Sequence, residues 1–428
     1  MPTKRSIVSQ CIEGIFLKYL LFVLLSLHLF AVDASLTIEK DVEQRARIAL
    51  IDGSEQFNPL AWKILLSDFK ISGHFLSDTK HYTGDLASNY IPASLKNREY
   101  VIKYKLSTTP KSTLWVRLLE ASSGKELFQK RYRISMESKL PFLLHKAISD
   151  INNVLHYSKI DWINRYVIFS RYVKAKQSEI VLADYTFSYQ KVIVRGGLNL
   201  FPIWADAKQK SFYYTSYASL RPTLYRLNIY TGSKEKIVAS EGMVVCSDVN
   251  HNGSKILLTL APQGQADIYE LTLSSKQKRR ITQFHGIDVN AKYSKDEESI
   301  VFVSNRLGHA NIFKKSLQGS AVLPVVFHGK NNNACDSYGD KVVYTSRESS
   351  HSFSQNSFNL YLTSTQGGVT RPLTTTGSNQ FPRFSRDGSI VQFIKYRGNS
   401  SSIGYINLET SQSLLFPFKS KKIQSIAW

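Results

Sequence analysis

FPRFSRDGSIVQF, residues 381–393, holds a proline, an aromatic residue two places later, a polar turn with Asp-Gly, and then an apolar run. Asp-Gly between two apolar segments is turn chemistry, and the run after it reads as a strand. Related wording recurs four times upstream: FPIWADAKQKSFYYTS from Phe201, DVNHNGSKILLTL from Asp248, KYSKDEESIVFVS from Lys292 and ACDSYGDKVVYTS from Ala334. With the aromatic as marker, the copies fall at Trp204, Val249, Tyr293, Cys335 and Phe384, at intervals of 45, 44, 42 and 49 residues. A period of this length, with several short strands per unit, predicts a β-propeller and not a helical solenoid.

Each unit repeats one internal order. A strand such as IVFVS (300–304) follows the turn. A second follows a polar loop: LYRLN (224–228), IYELT (268–272), IFKKS (312–316), LYLTS (360–364) and IGYINL (403–408). A short outer strand ends near RRIT (279–282) or RPLT (371–374), giving four strands per blade. RYVIFS (165–170) and EIVLAD (179–184) read as the middle strands of a unit whose first strand is missing. Trp428 lies 44 residues after Phe384, so IQSIAW (423–428) is one more copy of the marker strand. The prediction is a six-bladed ring closed by the C-terminal strand, which removes free sheet edges.

Residues 35–160 mix two periodicities and suggest an α/β layer domain. ARIALID (46–52) reads as a buried strand stopped by Gly53. Asn58-Pro59 offers an N-cap and a first-turn proline, Leu60, Ile64, Leu65 and Phe69 follow at helical spacing, and Gly73 ends the helix. YVIKYKLS (100–107), TLWVRLLE (113–120) and KELFQKRYRI (125–134) read as strands, the last two joined by the turn Ala121-Ser122-Ser123-Gly124. Leu144, Ile148, Ile151 and Leu155 mark a second helix. His145 and His156 on it are expected to be surface or packed residues and not metal ligands.

Lys4, Arg5 and Lys18 precede a 14-residue apolar run, YLLFVLLSLHLFAV (19–32), with Val32-Asp33-Ala34 after it. This is the layout of a secretory signal peptide, and the run is short of the ~20 residues a spanning helix needs. The expected organisation is a signal peptide over residues 1–34, an α/β domain over 35–160 and a propeller over 161–428. The mature chain is expected to be exported to the periplasm and to be a monomer. Of 428 residues, 43% are hydrophobic and only 21% charged, which excludes a largely disordered chain. The formal charge of +22 is scattered. Its clusters, KQKRR (276–280) and KSKK (419–422), read as solvated loops, so no nucleic-acid partner is expected. Cys11 falls in the leader. Cys246 and Cys335 are expected to be free, buried thiols.

The repeat P-x-aromatic-S-x-D-G-x-x-I, as in residues 381–390, resembles that of the TolB family. ILLSDFKISGHF (64–75), ASSGKELFQKRY (121–132), HKAISDI (145–151) and VLADY (181–185) are similar to the same family. The chain departs from the family at Cys335, which stands where an aromatic is expected. The resemblance implies a periplasmic adaptor of the Tol-Pal system that supports outer-membrane integrity and constriction during cell division. It implies a propeller that binds Pal, a peptidoglycan-associated outer-membrane lipoprotein, which would hold the protein peripherally at that membrane. It also implies a mature N-terminal segment that binds TolA, an inner-membrane protein.

Two candidate binding sites follow. Loops entering the innermost strands gather at one mouth of a propeller, and loops on rigid scaffolds are common binding sites. The residues there are Asn199, Leu200, Val244, Val245, Asp288, Val289, Asn331, Asn332, Asn379 and Gln380, nominated for Pal by the resemblance. For each alone, plain turn chemistry is an equal reading. The second site is Ser35, Leu36, Thr37, Ile38, Glu39 and Lys40, an alternating segment able to add to a partner's sheet edge, nominated for TolA. No catalytic, cofactor or metal residues are assigned. A propeller hydrolase would need a GxSxG elbow, which the sequence lacks, and the chain is expected to carry no catalytic module after the blades. A calcium-dependent lactonase would use Asp288 with nearby Asn residues. A peptidoglycan or carbohydrate binder would use aromatic channel residues.

Overall fold

The computed structural model describes residues 45–109, 111–348, 357–398, 400–418 and 422–428. The expected signal peptide (1–34), the segment 35–40 and most of the KSKK cluster lie outside the described residues.

The strand β1 (Ala46–Asp52) is buried everywhere except Arg47. It pairs in parallel with β2 (Phe75–Ser77), β3 (Tyr82–Thr83) and β4 (Tyr100–Ser107). A parallel strand covered on both faces needs a continuous apolar run, and ARIALID supplies one. Antiparallel β5 (Ser112–Glu120) and β6 (Glu126–Ile134) complete the sheet. The helix α1 (Pro59–Ser72) starts where the Asn58 side chain accepts the Ala61 N–H, and it stops at Gly73 in the left-handed conformation. It packs beside α2 (Leu140–Val154): Ile64, Leu65 and Phe69 share a core with Leu144, Ile148, Ile151 and the sheet residues Ile48, Leu50 and Ile102. The opposite sheet face is closed by Ile91 and Leu95 over Ala49, Ile51, Val101 and Leu119.

After α2 and a short helical turn, Asp161–Asn164, the described strands form four-stranded antiparallel units. The second is β10 (Asn199–Trp204), β11 (Ser211–Ser216), β12 (Thr223–Asn228) and β13 (Lys234–Ala239). The third is β14 (Val244–Val249), β15 (Lys255–Leu260), β16 (Asp267–Thr272) and β17 (Lys278–Arg280). The fourth is β18 (Asp288–Tyr293), β19 (Ser299–Ser304), β20 (Asn311–Ser316) and β21 (Val322–Pro324). The fifth is β22 (Lys330–Tyr338), β23 (Lys341–Arg347), β24 (Phe358–Ser364) and β25 (Arg371–Pro372). The sixth is β26 (Ser378–Phe384), β27 (Ile390–Arg397), β28 (Ser400–Asn407) and β29 (Ser413–Phe418), and one bridge between Phe358 and Ser378 links it to the fifth.

The first unit is composite. Its strands β7 (Val167–Lys174), β8 (Gln177–Ala183) and β9 (Gln190–Val194) take their inner partner from the far end of the chain, β30 (Ile423–Ala427). Ile426 lies opposite Phe169 and Ala427 opposite Ile168. Trp428 Nε1 donates to the Phe384 carbonyl at 2.8 Å, tying the first and last units. This is the closure expected from the sequence, and six such units are consistent with a six-bladed ring. The N-terminal layer is seated on this seam, since Val167, Phe169, Tyr185, Ile403, Tyr405, Phe416 and Ile426 belong to the same apolar core as α1 and α2.

The register of the fifth unit corrects the sequence alignment. Trp204, Val249, Tyr293 and Phe384 lie opposite Phe212, Ile256, Ile300 and Val391. The residue in that place in β22 is Ser337, opposite Val342, and not Cys335. The turn here is two residues shorter than in the sixth unit, so counting back from the strand overshoots by two. With Ser337 as the marker the intervals become 45, 44, 44, 47 and 44. The backbone agrees: Phe201, Asn290, Ala334 and Phe381 have φ of 55°, 56°, 48° and 55°, each three residues before its marker. Each marks a β-bulge that kinks the inner strand.

Candidate functional site

Neighbouring strands in a unit alternate direction, so one mouth of the ring collects the starts of the inner strands and the other their ends. The ten nominated residues lie at the starting mouth, but on strands and not in loops. Asn199 and Leu200 open β10, Val244 and Val245 open β14, and Asp288 and Val289 open β18. Asn331 and Asn332 lie early in β22, as Asn379 and Gln380 do in β26. The bulge explains the difference, because it carries the ladder further toward the N-terminal end of each inner strand. Asn199, Leu200, Val244, Asp288, Asn332 and Asn379 are buried. Several of these side chains tie their own turns. The amide of Asn199 donates to Gly196 O at 2.7 Å, that of Asn332 to His328 O at 2.8 Å, and that of Asn379 to Thr376 O at 3.0 Å. Asp288 is ion-paired with Arg306 at 2.9 Å and does not line the channel cavity, contrary to the lactonase reading. Val245, Val289, Asn331 and Gln380 are half-buried and reach the mouth.

The sequence reading missed the most exposed apolar residues of this face. Met243, Ile287 and Phe327 stand in the loops that enter β14, β18 and β22, with Ile287 51% and Phe327 81% exposed. Leu220 and Leu307 are exposed in loops between second and third strands, which open at the same end. Exposed apolar residues clustered on one face mark interaction surfaces more often than isolated ones do. They stand in five different loops far apart in sequence, so only the topology brings them together.

The opposite mouth opens on a cavity of about 720 Å³. The residue before each marker faces into it, and four consecutive units supply Asp248, Lys292, Asp336 and Arg383. These form a belt of alternating sign. Lys292 Nζ lies 3.1 Å from Asp336 and 4.0 Å from Asp248, and Arg383 lies 3.9 Å from Asp336. The carboxylates also accept backbone N–H groups of the next unit, Tyr293 on Asp248 and Phe384 on Asp336, both at 2.8 Å. Their oxygens are thus engaged by protein cations and amides. Among the described residues no group of three or more His, Cys, Asp or Glu is arranged to hold a metal.

A third polar cluster sits at the seam between the N-terminal layer and the ring. Asp68 of α1, His145 of α2 and Asp184 after β8 are fully buried. His145 Nδ1 lies 2.8 Å from Asp68, and its Nε2 lies 3.2 Å from Asp184. The Tyr185 hydroxyl donates to Asp68. Burial pulls the His145 pKa down, but the two carboxylates outweigh it and hold the imidazole at about 9. The sequence left open whether His145 is a surface or a packed residue and gave no sign of these partners, which lie 77 and 39 residues away. His156 is exposed.

Cys246 and Cys335 are free and buried, and burial pushes the Cys335 thiol up to about 12. That makes it a poor nucleophile. The basic cluster 276–280 is not simply a loop: Lys278–Arg280 forms β17, with Arg279 and Arg280 paired to Glu270 and Asp267.

Comparison with known proteins agrees with this architecture. The sequence profile of the family "PD40: TolB beta propeller domain" matches residues 162–428. The "Tol-Pal system protein TolB" of Wolinella succinogenes is 42% identical over 96% of this chain and all of its own length. That of Helicobacter hepaticus is 39% identical over 96% of this chain and 99% of its own. The crystal structure of TolB from Acinetobacter baumannii superposes with a TM-score of 0.75, covering 90% of this chain and 96% of that one; at 22% identity this speaks to the fold. With a closed ring of TolB-type units, a matching N-terminal layer and relatives aligned from end to end, the chain belongs to the TolB family, a non-enzymatic component of the Tol-Pal system of the cell envelope.

Proposed function

We propose that this protein is a periplasmic adaptor. It holds a Pal-like peptidoglycan-associated lipoprotein on the propeller face where the inner strands begin. It engages a TolA-like inner-membrane protein through Ser35–Lys40, and so supports outer-membrane integrity and constriction at division. The observation that carries the reading is the apolar face made by Met243, Ile287 and Phe327, flanked by the half-buried Val245, Val289 and Gln380. A rigid closed ring presents these side chains with little ordering cost on binding, which favours affinity per contact. The family membership supplies the class of partner.

The double variant Ile287→Asp, Phe327→Asp tests the first half. Both side chains are exposed, so the melting temperature is expected to stay within about 2 °C of the parent, because surface changes cost about 0.5 kcal/mol or less. Calorimetric affinity for the Pal-like lipoprotein is expected to fall by about 100-fold, as for loss of hot-spot anchors. Unchanged affinity would sink this assignment of the face. Removal of residues 35–40 tests the second half. Binding to the TolA-like protein is expected to disappear while the Pal-like protein still binds. Loss of both, or of neither, would argue against two separate sites.

A further inference from the structure

The channel mouth at the ends of the inner strands carries charge that the protein only partly compensates. Arg165, ahead of β7, and Arg386, in the turn after β26, both donate through Nη1 to one neutral acceptor, the carbonyl oxygen of Ala207, at 3.1 and 2.9 Å. Arg165 Nε is buried and has no acceptor at all. Among the described residues no carboxylate lies within ion-pair distance of either guanidinium. Burial and the neighbouring charge of Arg386 pull the Arg165 pKa below its usual value, and Asp206 and Asp387 only partly offset this. Those two acids are already occupied. Asp206 accepts the N–H groups of Lys210 and Ser211 at 3.0 Å, and Asp387 accepts that of Ser389 at 3.1 Å. Lys208 and Lys210 stand exposed on the same rim and line the same cavity.

Two guanidiniums brought together by the ring, sharing one carbonyl, have the donor pattern for one planar oxyanion. Behind them the cavity is walled by Trp204, Tyr338 and Trp428 and floored by the belt of alternating charge. Its volume is in the range of sites that hold a small ligand or a short peptide. A chain of mixed polarity suits such walls, and the net charge of +22 steers acidic partners toward the protein. We propose that this mouth, on the face opposite the Pal-like site, is a docking site for an acidic peptide segment, with Arg165 and Arg386 clamping one of its carboxylates. This assignment is independent of the adaptor reading, since it uses neither the apolar face nor residues 35–40.

The test is fluorescence anisotropy of a labelled hexaglutamate peptide with the protein as purified from cell envelopes, at fixed moderate salt. Saturable binding is expected. Arg386→Ala should weaken it about tenfold, and Arg165→Gln with Arg386→Ala about 100-fold, as for loss of charge-assisted bonds. Lys236→Ala removes the same charge from an exposed position on the outer strand β13, and it should leave affinity within about twofold. Arg386 is exposed, so its variant is expected to melt like the parent; if Arg165→Gln perturbs folding, the single Arg386 variant decides. Three results would overturn the proposal: parental affinity in Arg386→Ala, an equal loss in Lys236→Ala, or saturation by inorganic phosphate with no binding of hexaglutamate. The last would mark a site for free oxyanions.

Discussion

A chain ending at residue 422 is expected to lose the cooperative folding of the ring. Ile423 and Ile426 are 0% and 2% exposed, and burial of each contributes about 2–3 kcal/mol. The strand pairs along β7, Ser425 Oγ bonds Ser170 Oγ at 2.8 Å, the Tyr396 hydroxyl donates to Ile423 O at 3.0 Å, and Trp428 bonds Phe384. At about 1 kcal/mol for each hydrogen bond, the strand contributes roughly 8–10 kcal/mol in all. Whole domains have only about 5–15 kcal/mol of net stability, so the loss is comparable to the total. Truncation would also expose the edge of β7, a ready template for aggregation. Calorimetry should therefore show the main transition absent or lowered by tens of degrees, with aggregates in size exclusion. The milder Ile426→Ala should cost about 2–4 kcal/mol from the cavity it leaves. A truncated chain melting within a few degrees of the parent would mean that β30 does not close the ring.

The period of about 44 residues is visible in the sequence because every unit must bury the same inner strand beside the same turn. Strand order and closure follow from that repetition, and Trp428 announces itself by its spacing from Phe384. The register of the fifth unit is less legible. Its turn, Tyr338-Gly339-Asp340, is shorter than its counterpart, and the polar Ser337 occupies a place that an aromatic or Val249 fills in the other units. Pattern matching then prefers the more apolar Cys335. The proposed binding faces are harder still. Ile287 and Phe327 look unremarkable in their own loops, and Arg165 and Arg386 are 221 residues apart. What unites them is the alternation of strand direction around the ring, which no local pattern records. The Asn and Asp residues at the strand starts show the opposite error. They were conspicuous because turns favour them, and the structure has most of them buried in their own turns.

Replacing Asp68 by Ala is expected to be among the most destabilising single changes in the chain, at about 3–5 kcal/mol. The seam explains why. Asp68 is the acceptor for His145 Nδ1 and for the Tyr185 hydroxyl, in a site with no access to water. Asp184 holds the other side of the imidazole while accepting the N–H groups of Thr186 and Tyr189 at 2.8 and 2.6 Å. Tyr405 of the last unit donates to Tyr185 O at 2.9 Å, so the network spans both helices, the first unit and the last. Removing one carboxylate leaves a buried cation half-compensated and a buried hydroxyl without a partner. Asp68→Asn keeps the shape and one acceptor, and it should cost less. The same network gives a pH signature. The folded pKa of His145, near 9, lies above the ordinary 6.5, so its contribution is complete below about pH 6.5 and is lost as pH rises through 9. Burial raises Asp68 against the pull of His145, which works in the same direction. Burial also pushes Asp184 up, but its bonds to His145, Thr186 and Tyr189 prevail and hold it below its usual value. Its contribution is therefore lost only on the acid side. Urea unfolding should accordingly show stability falling between pH 6.5 and 9.5 by on the order of 3 kcal/mol. In His145→Gln that alkaline slope should largely vanish, even though the variant is less stable at neutral pH. An equal slope in both proteins would show that the imidazole is not held as a cation between the two carboxylates.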